Sequence, residues 1–266
     1  MKILMVQNTV KEKIDDTLKN IESLIEKYQS EKIDFLVLPE MFTTPYQITS
    51  FNDYGKFTES KVLVWLKALA IRFNTYIVGG SVPEINKGRV YNTTYVFNRD
   101  GDVISKYQKV YLFSVNYPNG KSFNEADVLS KGSDLGVFDT EFGKMGLMIC
   151  FDVRFPILAN KLMKKGVKII FVPAAFNTFT GPMHWQVTFR ARAIDNQLFM
   201  VGVSPSRESF GDYNTYGHSI LVDPFGYVIT EMFSEEEVRL IEIDLDEINR
   251  ARTSIPIVKS EVNIKE

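Results

Sequence analysis

Apolar and polar positions along this chain fall into two alternating rhythms. Short continuous apolar runs, such as Ile3-Leu4-Met5-Val6, Phe35-Leu36-Val37-Leu38 and Tyr76-Ile77-Val78, predict buried strands. Between them, residues 11–29 carry Ile14, Leu18, Ile21, Leu24, Ile25 and Tyr28 at helical spacing above a charged outer face. A second such segment, about 59–73, does the same through Val62, Leu66, Leu69 and Phe73. Tyr91–Phe97 and Val103–Lys106 flank Asn98-Arg99-Asp100-Gly101, whose Asp-Gly pair predicts a hairpin turn. Residues 110–135 read as a long loop rich in Asn, Gly, Ser and Lys, and a loop of that length is more often functional than idle. Strand and helix then alternate again. An apolar run from Lys144 to Cys150 is followed by a helix over about 156–165, a strand at Lys168–Val172 and a helix over about 182–196. Strands at Phe199–Ser204, Ser219–Val222, Val228–Thr230 and Val238–Ile243 complete the pattern, with Asp246 as N-cap of a last short helix.

The resulting order, βαβαβββ and then βαβαββββ, predicts two similar halves with no Pro/Gly/Ser linker between them. An α/β fold is expected, one domain over 1–266. Strands covered by helices on one face and by a second sheet on the other would make a four-layer α-β-β-α sandwich. A doubly wound sheet accommodates the same pattern.

Composition narrows the function classes. With 45% hydrophobic residues the 266-residue chain can bury a substantial core. Its net charge of −2, and the lack of a basic run interleaved with aromatics, argue against nucleic acid as a partner. No stretch of about 18 consecutive apolar residues predicts a membrane span. Met1–Gln7 is too short an apolar run for a signal peptide. One cysteine forms no internal disulfide and suits a reducing compartment, so a cytoplasmic location is expected.

That cysteine, Cys150, ends an apolar strand, the edge at which α/β folds present reactive groups. Alone it reads as a small buried hydrophobe. Two other polar residues stand in similar places: Glu40 closes Phe35-Leu36-Val37-Leu38-Pro39, and Lys109 precedes Val110-Tyr111-Leu112-Phe113. A thiol is only slightly ionised at neutral pH and needs a base or a neighbouring cation to become a nucleophile. Glu40 could take the proton, and Lys109 could stabilise both the thiolate and the oxyanion formed when sulfur attacks a carbonyl. The backbone N–H of Phe151 is the natural second oxyanion donor; such donors are commonly worth about 3–4 kcal/mol each. His184 and His218 sit in no protease-like context, and His184 beside Trp185 reads as a packing or hydrogen-bonding residue. No Walker or GxGxxG motif and no HExxH-type spacing occur, so no cofactor and no metal are expected.

The segments LPEMF around Glu40, KYQKVYLF around Lys109 and GLMICFDVRFP around Cys150 resemble the Glu-Lys-Cys motifs of the nitrilase superfamily of carbon–nitrogen hydrolases. The resemblance extends over nearly the whole chain and implies the α-β-β-α sandwich. Within the superfamily, Phe151-Asp152-Val153-Arg154-Phe155 stands where nitrilases proper carry Trp-Glu-Asn after the cysteine. The block Pro173–Asn196 is similar to ω-amidases, which hydrolyse the terminal amide of 2-oxoglutaramate and 2-oxosuccinamate. The resemblance implies Glu40, Lys109 and Cys150 as catalytic residues, with Glu125 positioning the lysine and the substrate. It implies that Arg154 binds a substrate carboxylate, although an ion pair with Asp152 is the other reading, and that Tyr46 and Phe176 line the pocket. Tyr111 stands where the family often has histidine, and Ala126 where serine is common. A small amide substrate and a homodimer or higher homo-oligomer built across helical faces are the expected partners, with 254–266 as a candidate dimerisation arm. Rival readings are another amide or N-carbamoyl hydrolase, acting on deaminated glutathione or a carbamoylated amine, a non-catalytic interaction protein on this fold, and a thiol redox sensor.

Overall fold

The computed structural model describes residues 1–116, 122–210 and 213–260. Its first sheet orders the strands Glu237–Glu242, Lys2–Gln7, Phe35–Val37, Tyr76–Val78, Arg89–Phe97 and Val82–Asn86, with Val103–Gln108 and Leu129–Ser130 also paired to Arg89–Phe97. Lys2–Gln7, Phe35–Val37 and Tyr76–Val78 run parallel, so their carboxyl ends share one edge. The second sheet orders Gly136–Thr140, Gly143–Leu147, Ile169–Pro173, Phe199–Val203, Ile220–Val222 and Val228–Glu231, and its second to fourth strands are parallel in the same manner.

Strand alternation builds the layers. From the first sheet, Leu4, Val6, Leu36, Leu38 and Ile77 pack under helix α1 (Ile14–Ile25) and helix α3 (Val64–Phe73). The alternate residues Ile3, Met5, Phe35, Val37 and Val78 face the second sheet, in one apolar cluster with Met145, Leu147, Ile169 and Phe171. Phe35 and Phe171 meet there with ring centroids 5.0 Å apart. Helix α4 (Pro156–Lys164) and helix α5 (Gly181–Asn196) join that cluster through Leu158, Leu162, Trp185 and Phe189. The arrangement is the four-layer α-β-β-α sandwich rather than a doubly wound sheet. No helix among the described residues is long and apolar enough to cross a membrane.

Several elements depart from the sequence reading. Helix α2 (Ile48–Gly55), unpredicted, buries only Phe51 and Gly55, too few for a visible period. The predicted 59–73 helix is a π-turn, Thr58–Leu63, running into α3. Within 110–135 lie the short strands Ser114–Asn116, Ser122–Asn124 and Leu129–Ser130 and a 3-10 turn, Glu125–Asp127. The strand Val82–Asn86, unpredicted, follows a left-handed turn at Gly80, and the glycine and polar end of Gly136–Thr140 hide its pattern. Asp246 makes no side-chain cap; Asp244 accepts from its N–H instead, at 3.0 Å. Residues 255–258 fold back on their own chain, where Gln197 Nε2 donates to the Ile255 carbonyl at 2.6 Å and the Val258 N–H donates to Gln197 Oε1 at 3.3 Å. The rest of the tail, 261–266, lies outside the described residues.

Gly80 sits at φ +53°, and a Cβ built there would lie 2.2 Å from the Pro39 carbonyl oxygen. Left-handed backbone costs an L-residue about 1–2 kcal/mol before any overlap. Gly80→Ala is therefore expected to lower unfolding free energy by at least about 2 kcal/mol in urea denaturation and to displace the adjoining Glu40.

Candidate active site

Each of the four candidate polar groups leaves the end of a strand or a short turn. Glu40 follows the strand Phe35–Val37, Lys109 follows Val103–Gln108, Cys150 follows Gly143–Leu147 by three residues, and Glu125 opens the turn after Ser122–Asn124. The structure brings all four to one buried place at the seam between the sheets. Lys109 Nζ donates to Glu40 Oε1 at 2.8 Å and to Glu125 Oε1 at 2.9 Å, and all three side chains are fully buried. Glu125 is clasped by Phe113: the Glu125 N–H donates to the Phe113 carbonyl at 2.9 Å, and the Phe113 N–H donates to Glu125 Oε2 at 2.7 Å.

Glu40 Oε1 also accepts from Asn92 Nδ2 at 2.8 Å, and it lies 3.2 Å from the Tyr46 hydroxyl, whose single proton serves Glu40 and Glu125 together. Its Oε2 has no hydrogen-bond partner among the described residues. The protein's donors thus gather on one oxygen of Glu40 and leave the other without one. Burial pushes the Glu40 carboxyl above the usual carboxylate range, with Lys109 opposing and Glu125 adding to the rise. Burial acts on Lys109 in the opposite sense, yet the Glu125 and Glu40 charges hold it above its ordinary value, so the ammonium is secure. Cys150 sits at φ +45°, in the left-handed region that non-glycine residues rarely occupy. Burial and the Glu40 charge push its thiol up, while Lys109 and the Ala175 backbone pull it down.

Other residues meet the expectations unevenly. Phe176 lines a narrow pocket with Phe113, Cys150, Phe151, Arg154, Thr180 and Tyr213. The Tyr46 hydroxyl lies between the two carboxylates, 2.5 Å from Glu125 Oε1, and its ring stacks on Tyr213 of the pocket wall at 4.6 Å. Arg154 makes no ion pair with Asp152; its Nη1 contacts His184 Nδ1 at 2.7 Å. Asp152 instead accepts from Tyr111 N–H at 2.8 Å, Ile149 N–H at 2.9 Å and the Tyr107 hydroxyl at 2.7 Å. It therefore pins the chain around Lys109 to the turn that carries Cys150. Asn92 escaped the sequence reading and Asp152 entered it with the wrong partner, because a polar residue in an apolar context announces burial but not what it bonds. His218 lies 3.2 Å from Glu231 and stacks on Tyr216 at a centroid distance of 4.1 Å. Among the described residues no group of three or more His, Cys, Asp or Glu is placed to hold a metal ion.

Asp152 generates a pH prediction. Burial raises its carboxyl from 3.8 to about 6. Between those values the folded chain keeps a proton that the unfolded chain has lost, so stability falls as pH rises through that window. Asp152→Asn should be less stable than the natural chain, with an acceptor lost to Ile149 or Tyr107 and a deficit of about 1–3 kcal/mol. The deficit is expected to shrink from pH 4 to pH 6 in urea titrations, because the variant lacks this carboxyl's share of the slope.

The sequence of residues 2–253 matches the carbon-nitrogen hydrolase family. ω-Amidase NIT3 of Saccharomyces cerevisiae is 40% identical over 250 residues, covering 91% of this chain and 86% of that one. ω-Amidase NIT2 of Mus musculus is 37% identical over 258 residues, covering 97% and 94%. The crystal structure of S. cerevisiae Nit3, a member of branch 10 of the nitrilase superfamily, superposes with a TM-score of 0.88 at 35% identity, over 98% of this chain and 96% of that one. With the family's motifs at the carboxyl ends of its strands and its sandwich reproduced layer by layer, the chain belongs to the carbon-nitrogen hydrolase family of the nitrilase superfamily.

Proposed function

We propose that the protein is a cofactor-free thiol amidase that releases ammonia from the terminal amide of a small 2-oxo dicarboxylic acid monoamide, 2-oxoglutaramate or 2-oxosuccinamate. The observation that carries the mechanism is the clamp of Lys109 and Asn92 on Glu40 Oε1, with the Tyr46 hydroxyl alongside, which leaves Oε2 as the proton acceptor beside Cys150. A carboxyl raised by burial is a competent shuttle between thiol and leaving group. In the proposed cycle Glu40 takes the Cys150 proton as sulfur attacks the amide carbon. Lys109 and the Phe151 N–H hold the oxyanion, and Glu40 delivers its proton to departing ammonia. The thioester is then hydrolysed by water that gives its proton to Glu40, and the returning proton restores the thiol. Glu125 and Tyr46 keep Lys109 in line.

The substrate class is supported by the ω-amidase relatives and by the pocket, where Arg154 stands beside Phe176 as a cation for a carboxylate. The single cysteine suits reducing conditions, and the proposed location is cytoplasmic. We propose a homodimer as the acting form: α5 leaves Met183, Val187 and Ile194 exposed, alongside Tyr227, Ile229 and Phe233.

Two outcomes are expected. Ammonia release from 2-oxoglutaramate should fall at least about a thousandfold in Cys150→Ala and Cys150→Ser, with both variants folded by circular dichroism. Sustained turnover by Cys150→Ala would end the thiol mechanism, and release from glutamine but not from the oxo-acid would move the substrate. Val187→Glu should convert a dimer to a monomer in size-exclusion chromatography with light scattering; an unchanged dimer would remove α5 from the interface.

A further inference from the structure

Arg154 is a half-buried cation in an unusual setting. Among the described residues no carboxylate pairs with it. Its Nε is buried without a hydrogen-bond partner. The guanidinium lies over the Phe176 ring at 4.5 Å and near the Phe151 ring at 5.7 Å, so aromatic faces replace a counter-ion on those sides. Its Nη1 is spent on His184 Nδ1 at 2.7 Å. The backbone of the same turn is held by Arg192, whose Nε donates to the Val153 carbonyl at 2.9 Å and whose Nη2 donates to the Arg154 carbonyl at 3.2 Å. His184 and Arg192 both lie on α5, so one helix grips Arg154 at its head and at its main chain.

We infer that His184 is a positioning residue: it anchors one arm of the Arg154 guanidinium so that the remaining N–H groups face the pocket as a fork for a substrate carboxylate. The inference rests on the proposed carboxylate-bearing substrate and assigns the group that sets its recognition. An arginine side chain loses several rotamers on binding an anion, and a fork already fixed by a neutral acceptor has lost them beforehand. A carboxylate at the position of His184 would neutralise the cation and compete with the substrate; an imidazole fixes it and leaves its charge available.

The arrangement requires the neutral ring with its lone pair at Nδ1, because imidazolium would set N–H against N–H. Burial holds the ring below its ordinary value, and Arg154, from the Cys150–Arg154 turn, is the charged group that faces His184 and adds to the fall. Cys150 and Tyr213 face the guanidinium from the pocket side. Acid that protonates His184 would therefore release Arg154, and weaken substrate binding before it stops chemistry.

The test compares the natural chain with His184→Leu, which removes the acceptor, and His184→Asn, which keeps one near the Nδ1 position. Two readouts are taken: KM and kcat for 2-oxoglutaramate from pH 5 to 8, and the glutarate concentration that half-protects Cys150 from iodoacetamide. In His184→Leu both KM and the half-protecting concentration should rise on the order of tenfold at pH 7.5, with kcat within about twofold. His184→Asn should restore both, and should lose the natural chain's rise of KM in acid. Unchanged KM and protection in His184→Leu, or a fall in kcat with KM constant, would overturn the inference. So would a natural enzyme that glutarate does not protect. Protection that depends on His184 in an enzyme inactive on 2-oxoglutaramate would uphold this anion site while ending the substrate reading.

Discussion

The structure turns on one buried ammonium shared by two buried carboxylates. Lys109 between Glu40 and Glu125 is a charge cluster removed from water, and such a cluster is tolerable only when each member is well paired. The local fold meets that demand. The Phe113 backbone clasps Glu125, Asn92 and Tyr46 complete Glu40, and the Lys109 N–H donates to the Asn92 carbonyl at 2.9 Å. Two carboxylates against one ammonium leave an excess negative charge in a dry site. That excess keeps Lys109 protonated, and it adds to the burial that raises both Glu40 and Cys150, so the environment that secures the cation also holds the thiol and the carboxyl above their ordinary values.

Around this cluster the scaffold supplies rigidity rather than chemistry. Asp152 joins the lysine segment to the cysteine turn through three donors, and the left-handed backbone at Cys150 points the chain sharply away from its strand. Aromatic rings fill the remaining space: Tyr46, Phe113, Phe123 and Tyr213 touch one another edge-on, tilted or stacked. These contacts exclude water and hold the pocket narrow, conditions under which fixed charges act most strongly.

Much of this was legible in the sequence, and the limits have physical causes. Strands buried on both faces, such as Ile3–Val6 and Phe35–Val37, leave continuous apolar runs, and helices α1 and α4 leave clear periods. Val82–Asn86 and Gly136–Thr140 are short, half exposed and punctuated by glycine or polar residues, so neither rhythm shows. In the site, the motif residues could be located because they interrupt apolar runs at strand ends. Asn92 and Asp152 could not: an Asn in a β-strand or an Asp after a cysteine looks the same whether it binds a carboxylate, a backbone or water. Arg154 shows the reverse. Its neighbour Asp152 suggested an ion pair, but the carboxylate was already taken by backbone donors that no sequence pattern reveals.

Glu40, Lys109 and Glu125 hang from the first sheet and its connections, whereas Cys150, Arg154 and Phe176 hang from the second. Asp152 ties the two groups locally, and the apolar layer where Phe35 meets Phe171 aligns the sheets that carry them. The enzyme therefore works as a vernier. Its two scales are the sheets, and turnover would read their mutual displacement. A chain whose sheets slid by a fraction of a side chain would keep every helix and strand, and would have stopped being a catalyst.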